Sequence, residues 1–208
     1  MADAVKQKVT TPKGELIYVN ISGLGKLDYD GKFYEYTAGI KLPKKKAKEF
    51  YEDICEFFDN NKPSWYKEDE PSNKIMREIE GSDDFMFQFK TKASFEDEKG
   101  NIRDTTIKIA NRRNVEVNLP ENEGIGNGSI GRISGTMTIH SDKRGGTAGV
   151  SLWLSNIQLL KYIKYVADLG FEEDEDGDFE DFGDTIDDFK EEKVVEEPKK
   201  KKKKKKKD

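Results

Sequence analysis

The chain has almost no thiol or imidazole chemistry. Of its 208 residues, one is cysteine (Cys55) and one is histidine (His140). A single thiol cannot close an internal disulfide, which fits a reducing compartment. One Cys and one His cannot assemble a Cys/His zinc site, so no structural metal is expected. No apolar run approaches the ~20 residues that span a bilayer, so a membrane partner is not expected either. The first residues, MADAVKQKVTTPKGE, lack the apolar core of a secretion signal. Apolar residues make up only 34%, so the core must be modest.

Catalytic signatures are missing as well. The sequence contains no GxxxxGK[ST], HExxH, GxSxG or CxxC. GIGNGSIG (124–131) resembles a phosphate loop, but lacks the Lys-Ser/Thr and the helix that would aim its amides at a phosphate. It reads instead as a connection between strands. DEDGDFEDFGDT, begun at Asp174, has Phe179 where a calcium loop needs glycine and Thr185 where it needs glutamate. The expectation is a protein without catalytic activity and without a cofactor.

What is abundant is charge, unevenly placed. Residues 1–171 carry 26 Lys/Arg and 26 Asp/Glu, a net of zero. Residues 172–197 carry 15 Asp/Glu against two lysines, and residues 198–208 carry nine lysines and Asp208. The expected organisation is a flexible N-terminus (1–13), one domain (14–170), an acidic disordered tail (171–197) and a poly-Lys end (198–208).

Within the domain, hydrophobic periodicity predicts the elements. Glu15–Ile21 and Lys32–Leu42 read as strands, the second ended by Pro43. Over Lys44–Asn60 the period changes: Ala47, Phe50, Tyr51, Ile54, Phe57 and Phe58 share one helical face. Residues 64–82 are irregular, with a short helix expected around Asn73–Glu80. Phe85–Phe95 alternates, with Phe85, Phe87, Phe89 and Phe95 on one face and Gln88, Lys90, Lys92 and Ser94 on the other. A turn at 96–101 returns it into Ile102–Ala110 as a hairpin. Ile130–His140 and Val150–Leu160 are the last strands. The pattern has no βαβ rhythm. It predicts a mainly β fold, a curled antiparallel barrel with one helix inserted at about 44–60.

The polar face of these strands carries Lys90, Lys92, Lys108, Arg132, His140 and Trp153. Loops add Lys99 and Arg103, Lys143 and Arg144, and Arg112. Cations neutralise phosphates and an aromatic ring stacks on an unpaired base, worth ~1–3 kcal/mol per base. Such a face suits a single-stranded nucleic acid. It also suits the ordinary solvated side of a sheet.

Three stretches carry a resemblance. They are YTAGIKLP (36–43), FQFKTKASFEDEKGN (87–101) and GSIGRISGTMTIHSDKRGGTAGVSLWLSNIQLL (128–160), followed by the acidic tail. In order and spacing they resemble the single-stranded DNA-binding proteins of short-tailed bacteriophages. The resemblance implies an oligonucleotide/oligosaccharide-binding (OB) fold, single-stranded DNA as ligand, and a role in phage DNA replication, recombination and repair. It implies DNA contacts at Lys99 and Arg103. The family's aromatic stacker lies in the loop before the last strand. Here that loop reads SDKRGG, leaving Trp153 or His140 as the substitute. The family's tail ends in an aromatic residue, whereas here Phe189 is followed by EEKVVEEP and the lysines.

A polyanion studded with rings imitates single-stranded DNA, and tethering gives it a high effective concentration at a basic groove. Phe171, Phe179, Phe182 and Phe189 are the rings of that segment. By the resemblance they recruit phage DNA polymerase and helicase-primase, in the cytoplasm of an infected bacterial host. Two rivals stay open: an acidic-tailed DNA-mimic protein without DNA binding of its own, and an RNA-binding OB-fold protein. The sequence also leaves the oligomeric state open, a homodimer included.

Overall fold

Period-two runs of apolar residues become the staves of a barrel, in a computed structural model that describes residues 5–97, 99–119 and 123–165. The first strands are β1 (Lys6–Thr10), β2 (Gly14–Asn20), β3 (Lys26–Leu27) and β4 (Tyr34–Pro43). Helix α1 (Lys44–Asn61) follows directly. The chain then forms β5 (Met76–Glu78), β6 (Asp84–Lys92), β7 (Ser94–Glu96), β8 (Ile102–Asp104), β9 (Lys108–Ala110) and β10 (Glu116–Val117). Two long strands, β11 (Ser129–Asp142) and β12 (Thr147–Lys161), complete it.

The main sheet runs β1-β11-β2-β4-β6-β12-β9-β10, and β11 also pairs with β12. That last pairing closes five strands, β11-β2-β4-β6-β12, into a barrel. The fold is therefore mainly β and OB-like, with α1 inserted after β4. Most pairings are antiparallel, but β12 runs parallel to both β6 and β9.

Inward side chains fill the barrel: Leu16, Ile40, Phe87, Phe89, Ile133, Met137 and Ile157 are essentially inaccessible. Gly135 faces inward too, and a Cβ there would press on the Phe89 ring at 2.9 Å. Helix α1 lays Ala47, Phe50, Ile54, Phe57 and Phe58 against this core, and Phe50 meets Phe87 edge-on at 4.9 Å between ring centroids. The helix has no side-chain N-cap and no acidic residue in its first turn. It starts on three lysines, which oppose the helix dipole. Its stability therefore comes from the buried apolar face, where each Phe truncated to Ala would cost about 3–5 kcal/mol.

Four expectations need correction. Residues 6–10 form a strand, β1, because β11 supplies a backbone edge to pair with. The stretch around 73–80 is not a helix: Met76–Glu78 pairs with β6 as β5. The hairpin predicted over 85–110 exists only at its tip, where β7 pairs with β8 as a separate two-stranded sheet. Ala93, whose amide bonds Tyr34 O, breaks the ladder after Lys92, and β9 leaves to run beside β12. Phe95, placed beyond that break, is exposed rather than in the core. The acidic segment and the lysine run, with Phe171, Phe179, Phe182 and Phe189, lie outside the described residues.

Candidate nucleic-acid interface

Residues directly opposite on paired strands project to the same face. One such row crosses five strands: Lys8 on β1, Thr136 on β11, Trp153 on β12, Lys90 on β6 and Thr37 on β4. One step along lie Lys6, Thr138 and Ser151. This is the outer face of the barrel, and it is polar because alternation sends Val150, Leu152 and Leu154 inward.

An open groove of about 870 Å³ lies over the Trp153, Lys90 and Thr37 part of this row. The β3–β4 hairpin forms one wall and residues 73–77 contribute another. Its lining includes Trp153, Tyr29, Lys26, Lys74, Arg77 and Lys90. Asp28 shapes the hairpin: its carboxylate accepts from the Lys32 amide at 2.7 Å and the Phe33 amide at 3.2 Å. Tyr29 is thereby left fully exposed at the tip. On the second wall Asn73 imitates a strand. Its side-chain amide donates to Val150 O at 2.9 Å and accepts from Val150 N at 3.0 Å. A Cβ at Gly149 would collide with that Asn73 carbonyl, so glycine is what lets the segment dock.

Trp153 is the central ring. It is 39% exposed on an otherwise polar face. Its indole N–H donates to Thr138 Oγ1 at 2.8 Å, which fixes the ring's orientation and leaves its apolar surface to the groove. Two carboxylates temper the positive charge. Glu35 pairs with Lys90 at 3.1 Å, and Asp28 lines the groove. Lys92 sits over the Phe33 ring at 4.0 Å, a cation–π contact just beyond the groove. His140 lies beside it, its Nδ1 3.1 Å from Ser151 Oγ, and partial desolvation pulls its pKa below the usual histidine value.

The structure thus brings Lys90 and Trp153 together, with His140 and Lys92 at the margins. The other expected contacts are spread out. Lys99 and Arg103 sit at the β7–β8 tip, where Arg103 pairs with Asp97 at 3.0 Å. Lys143 and Arg144 occupy the turn between β11 and β12, ~20 Å along the hairpin from Trp153 at 3.3 Å per residue. Lys108 and Arg132 line a second recess farther along β11 and β12, and Lys108 is engaged by Glu116 at 2.8 Å. Arg112 lies in a third depression with Val117 and Tyr162.

Sequence reasoning missed Lys6, Lys8, Lys26, Tyr29, Lys74 and Arg77. For Lys26 and Tyr29 a signal existed, since KLDYDGKFYEY (26–36) interleaves cations with rings. For Lys74 and Arg77 there was none, because their places depend on the Asn73 docking and on the pairing of β5 with β6.

No family model matches the sequence, and no curated protein matches it. Solved structures do. The chain aligns with gp2.5, a single-stranded DNA-binding protein encoded by bacteriophage T7, with a TM-score of 0.54 and 20% identity over 85% of this chain and 100% of that one. The single-stranded DNA-binding protein of bacteriophage Enc34 in complex with ssDNA also aligns, with a TM-score of 0.54 and 13% identity over 74% of this chain and 86% of that one. Its C-terminal truncation gives a TM-score of 0.52 at 12% identity, over 74% of this chain and 85% of that one. At these identities the likeness is one of architecture: the chain has the fold of bacteriophage single-stranded DNA-binding proteins, an OB-like barrel with one inserted helix.

Proposed function

We propose that the protein binds single-stranded DNA along the groove over Trp153, without catalysis and with little sequence preference. The observation that carries this is the oriented, half-exposed Trp153 ring among Lys26, Lys74, Arg77 and Lys90. The ring would stack on an unpaired base while the cations track phosphates. Lys99, Arg103, Lys143 and Arg144 on the two loop tips are the further phosphate contacts of this proposal. The fold shared with phage proteins that bind single-stranded DNA supports the same reading.

In this proposal the acidic segment 171–189 competes for the groove when no DNA is present. Displaced by DNA, it recruits replication proteins such as a polymerase and a helicase-primase in an infected bacterial host. The test is binding of fluorescent oligo-dT across a salt series, by the full chain and by a chain ending at residue 170. Both should bind, more weakly as salt rises, and the shorter one more tightly. Absence of salt-dependent binding by both would overturn the reading. Unchanged affinity in the shorter chain would overturn the competition. Replacing Lys90, Lys92 and Trp153 together separates DNA binding from a purely acidic mimic, whose function would not change.

A further inference from the structure

The groove over Trp153 holds rings and cations but few free groups that could read a base. Its one side-chain amide besides Asn73 is Gln88, which accepts from Arg77 at 3.3 Å. Farther along the same outer face lies a recess of different chemistry. A β-bulge sets it up. The register of β11 with β12 shifts between Ser134 and Gly135, so that Ser155 is the extra residue and Asn156 falls opposite Ser134. Beyond the bulge, Gln158 falls opposite Arg132, and Thr10 of β1 falls opposite Ser134. Without the bulge, Asn156 would turn inward, since it follows Trp153 by an odd number of residues.

The recess measures about 360 Å³, and no aromatic ring lines it. Lys108 is engaged by Glu116 at 2.8 Å, and the Gln158 amide donates to Asn111 O at 3.3 Å. Asn156 and Arg132 are exposed and have no side-chain hydrogen bond or ion pair among the described residues. A carboxamide and a guanidinium, flanked by the Ser134 and Thr10 hydroxyls, offer paired donors and acceptors. Those are the groups that meet a purine edge in two bonds, a carboxamide at N6/N7 of adenine or a guanidinium at O6/N7 of guanine. An unpaired purine offers this N7 edge in addition to its Watson–Crick edge, whereas a pyrimidine offers only the latter. Asn156 lies ~10 Å from Trp153 along β12, so a strand stacked on that ring would reach the recess within a few nucleotides.

We propose that this recess is a base-reading subsite that takes the edge of one unpaired purine, with Asn156 and Arg132 as its contacts. It rests on the single-stranded DNA reading above and adds a local preference to a track that otherwise tolerates any sequence.

The experiment measures binding of the full chain to oligo-dT and to the same oligomer with one dA or dG moved through each position. A purine at one position should tighten binding about fivefold or more. Asn156→Ala and the uncharged, similar-sized Asn156→Leu should each abolish the gain from dA while leaving oligo-dT binding and the melting temperature close to those of the parent. Purines also stack more strongly, so a second favourable position could arise at Trp153. That gain should persist in both Asn156 variants and vanish in Trp153→Ala. Oligo-dT binding with no purine gain, or a dA gain unchanged by both Asn156 substitutions, overturns the subsite alone. No binding of any oligomer overturns the subsite together with the function proposed for the groove.

Discussion

Trp153 and Thr138 are joined by an indole N–H donating to a hydroxyl at 2.8 Å, across neighbouring strands of the barrel. The bond decides which way the ring faces. Thr138→Val keeps the side-chain shape and removes the acceptor. The fold should lose no more than about 1.5 kcal/mol, the usual worth of one hydrogen bond. Affinity for oligo-dT should fall by part of the ~1–3 kcal/mol that base stacking contributes, and Trp153→Ala should lose the whole of it. Fluorescence titration checks the order: parent, then Thr138→Val, then Trp153→Ala. Equal affinity in all three would show that the ring does not contact DNA.

Glu35 holds Lys90 at 3.1 Å on a face otherwise rich in cations. The Lys90 side chain is 59% exposed, so the pair adds little to stability. Glu35→Gln should leave the melting temperature nearly unchanged and free the ammonium for a phosphate. Binding should tighten at low salt, and the slope of log affinity against log salt should steepen by about 0.7, one single-strand phosphate contact. A slope equal to the parent's would place Lys90 off the path of the strand.

Asn73 is the peg that holds the second groove wall. Asn73→Ala removes both bonds to Val150 and leaves that backbone unpaired in a half-buried place. The expected loss is about 1–3 kcal/mol, measured by denaturant unfolding. Affinity should fall as well, because Lys74 loses its neighbouring anchor, while Arg77 keeps the pairing of β5 with β6. Normal stability in this variant would mean that the segment docks by other contacts.

His140 should make stability pH-dependent on the acid side. The residue is exposed, but partial desolvation of its ring lowers its pKa in the folded protein from the ordinary 6.5, so the effect is small. As pH falls through about 6.5, the unfolded chain takes up a proton that the folded ring still refuses. The unfolded state then binds more protons, so stability declines below that pH and is unaffected by this group above it. His140→Gln should flatten the parent's loss of melting temperature between about pH 8 and pH 5. An identical pH profile in the variant would assign the loss to other groups.

The parts legible in the sequence are those whose environment is set locally. Ala47, Phe50, Ile54, Phe57 and Phe58 announce a helix face by spacing alone, and all five are buried on α1. Phe87 and Phe89 likewise announce a buried strand face. Trp153 and Lys90 were legible as outward-facing, but nothing local says that they stand side by side in parallel register. Non-local pairing hid the rest. KQKVT has no apolar alternation and is a strand only because β11 offers an edge. Ile102–Ala110 looks like one strand, yet β9 is recruited by β12. The bulge at Ser155 is also silent in the sequence, although it decides the direction of Asn156.

Strand β12 bonds to β11, β6 and β9. During synthesis, no barrel can close until residue 161 has cleared the ribosome. Until then the inner faces of β2, β4 and β6 have only α1 to cover them, while β11 waits for its longest partner. Closure is therefore tied to the end of the domain's synthesis: β12, the last strand among the described residues, is the one that turns a curled, open sheet into a closed one. Closing contacts so distant in sequence is slow, and the half-built sheet has exposed edges while it waits. A chain stalled before residue 147 should be trapped readily by chaperones, whereas one extended past 161 should become protease-resistant in a single step.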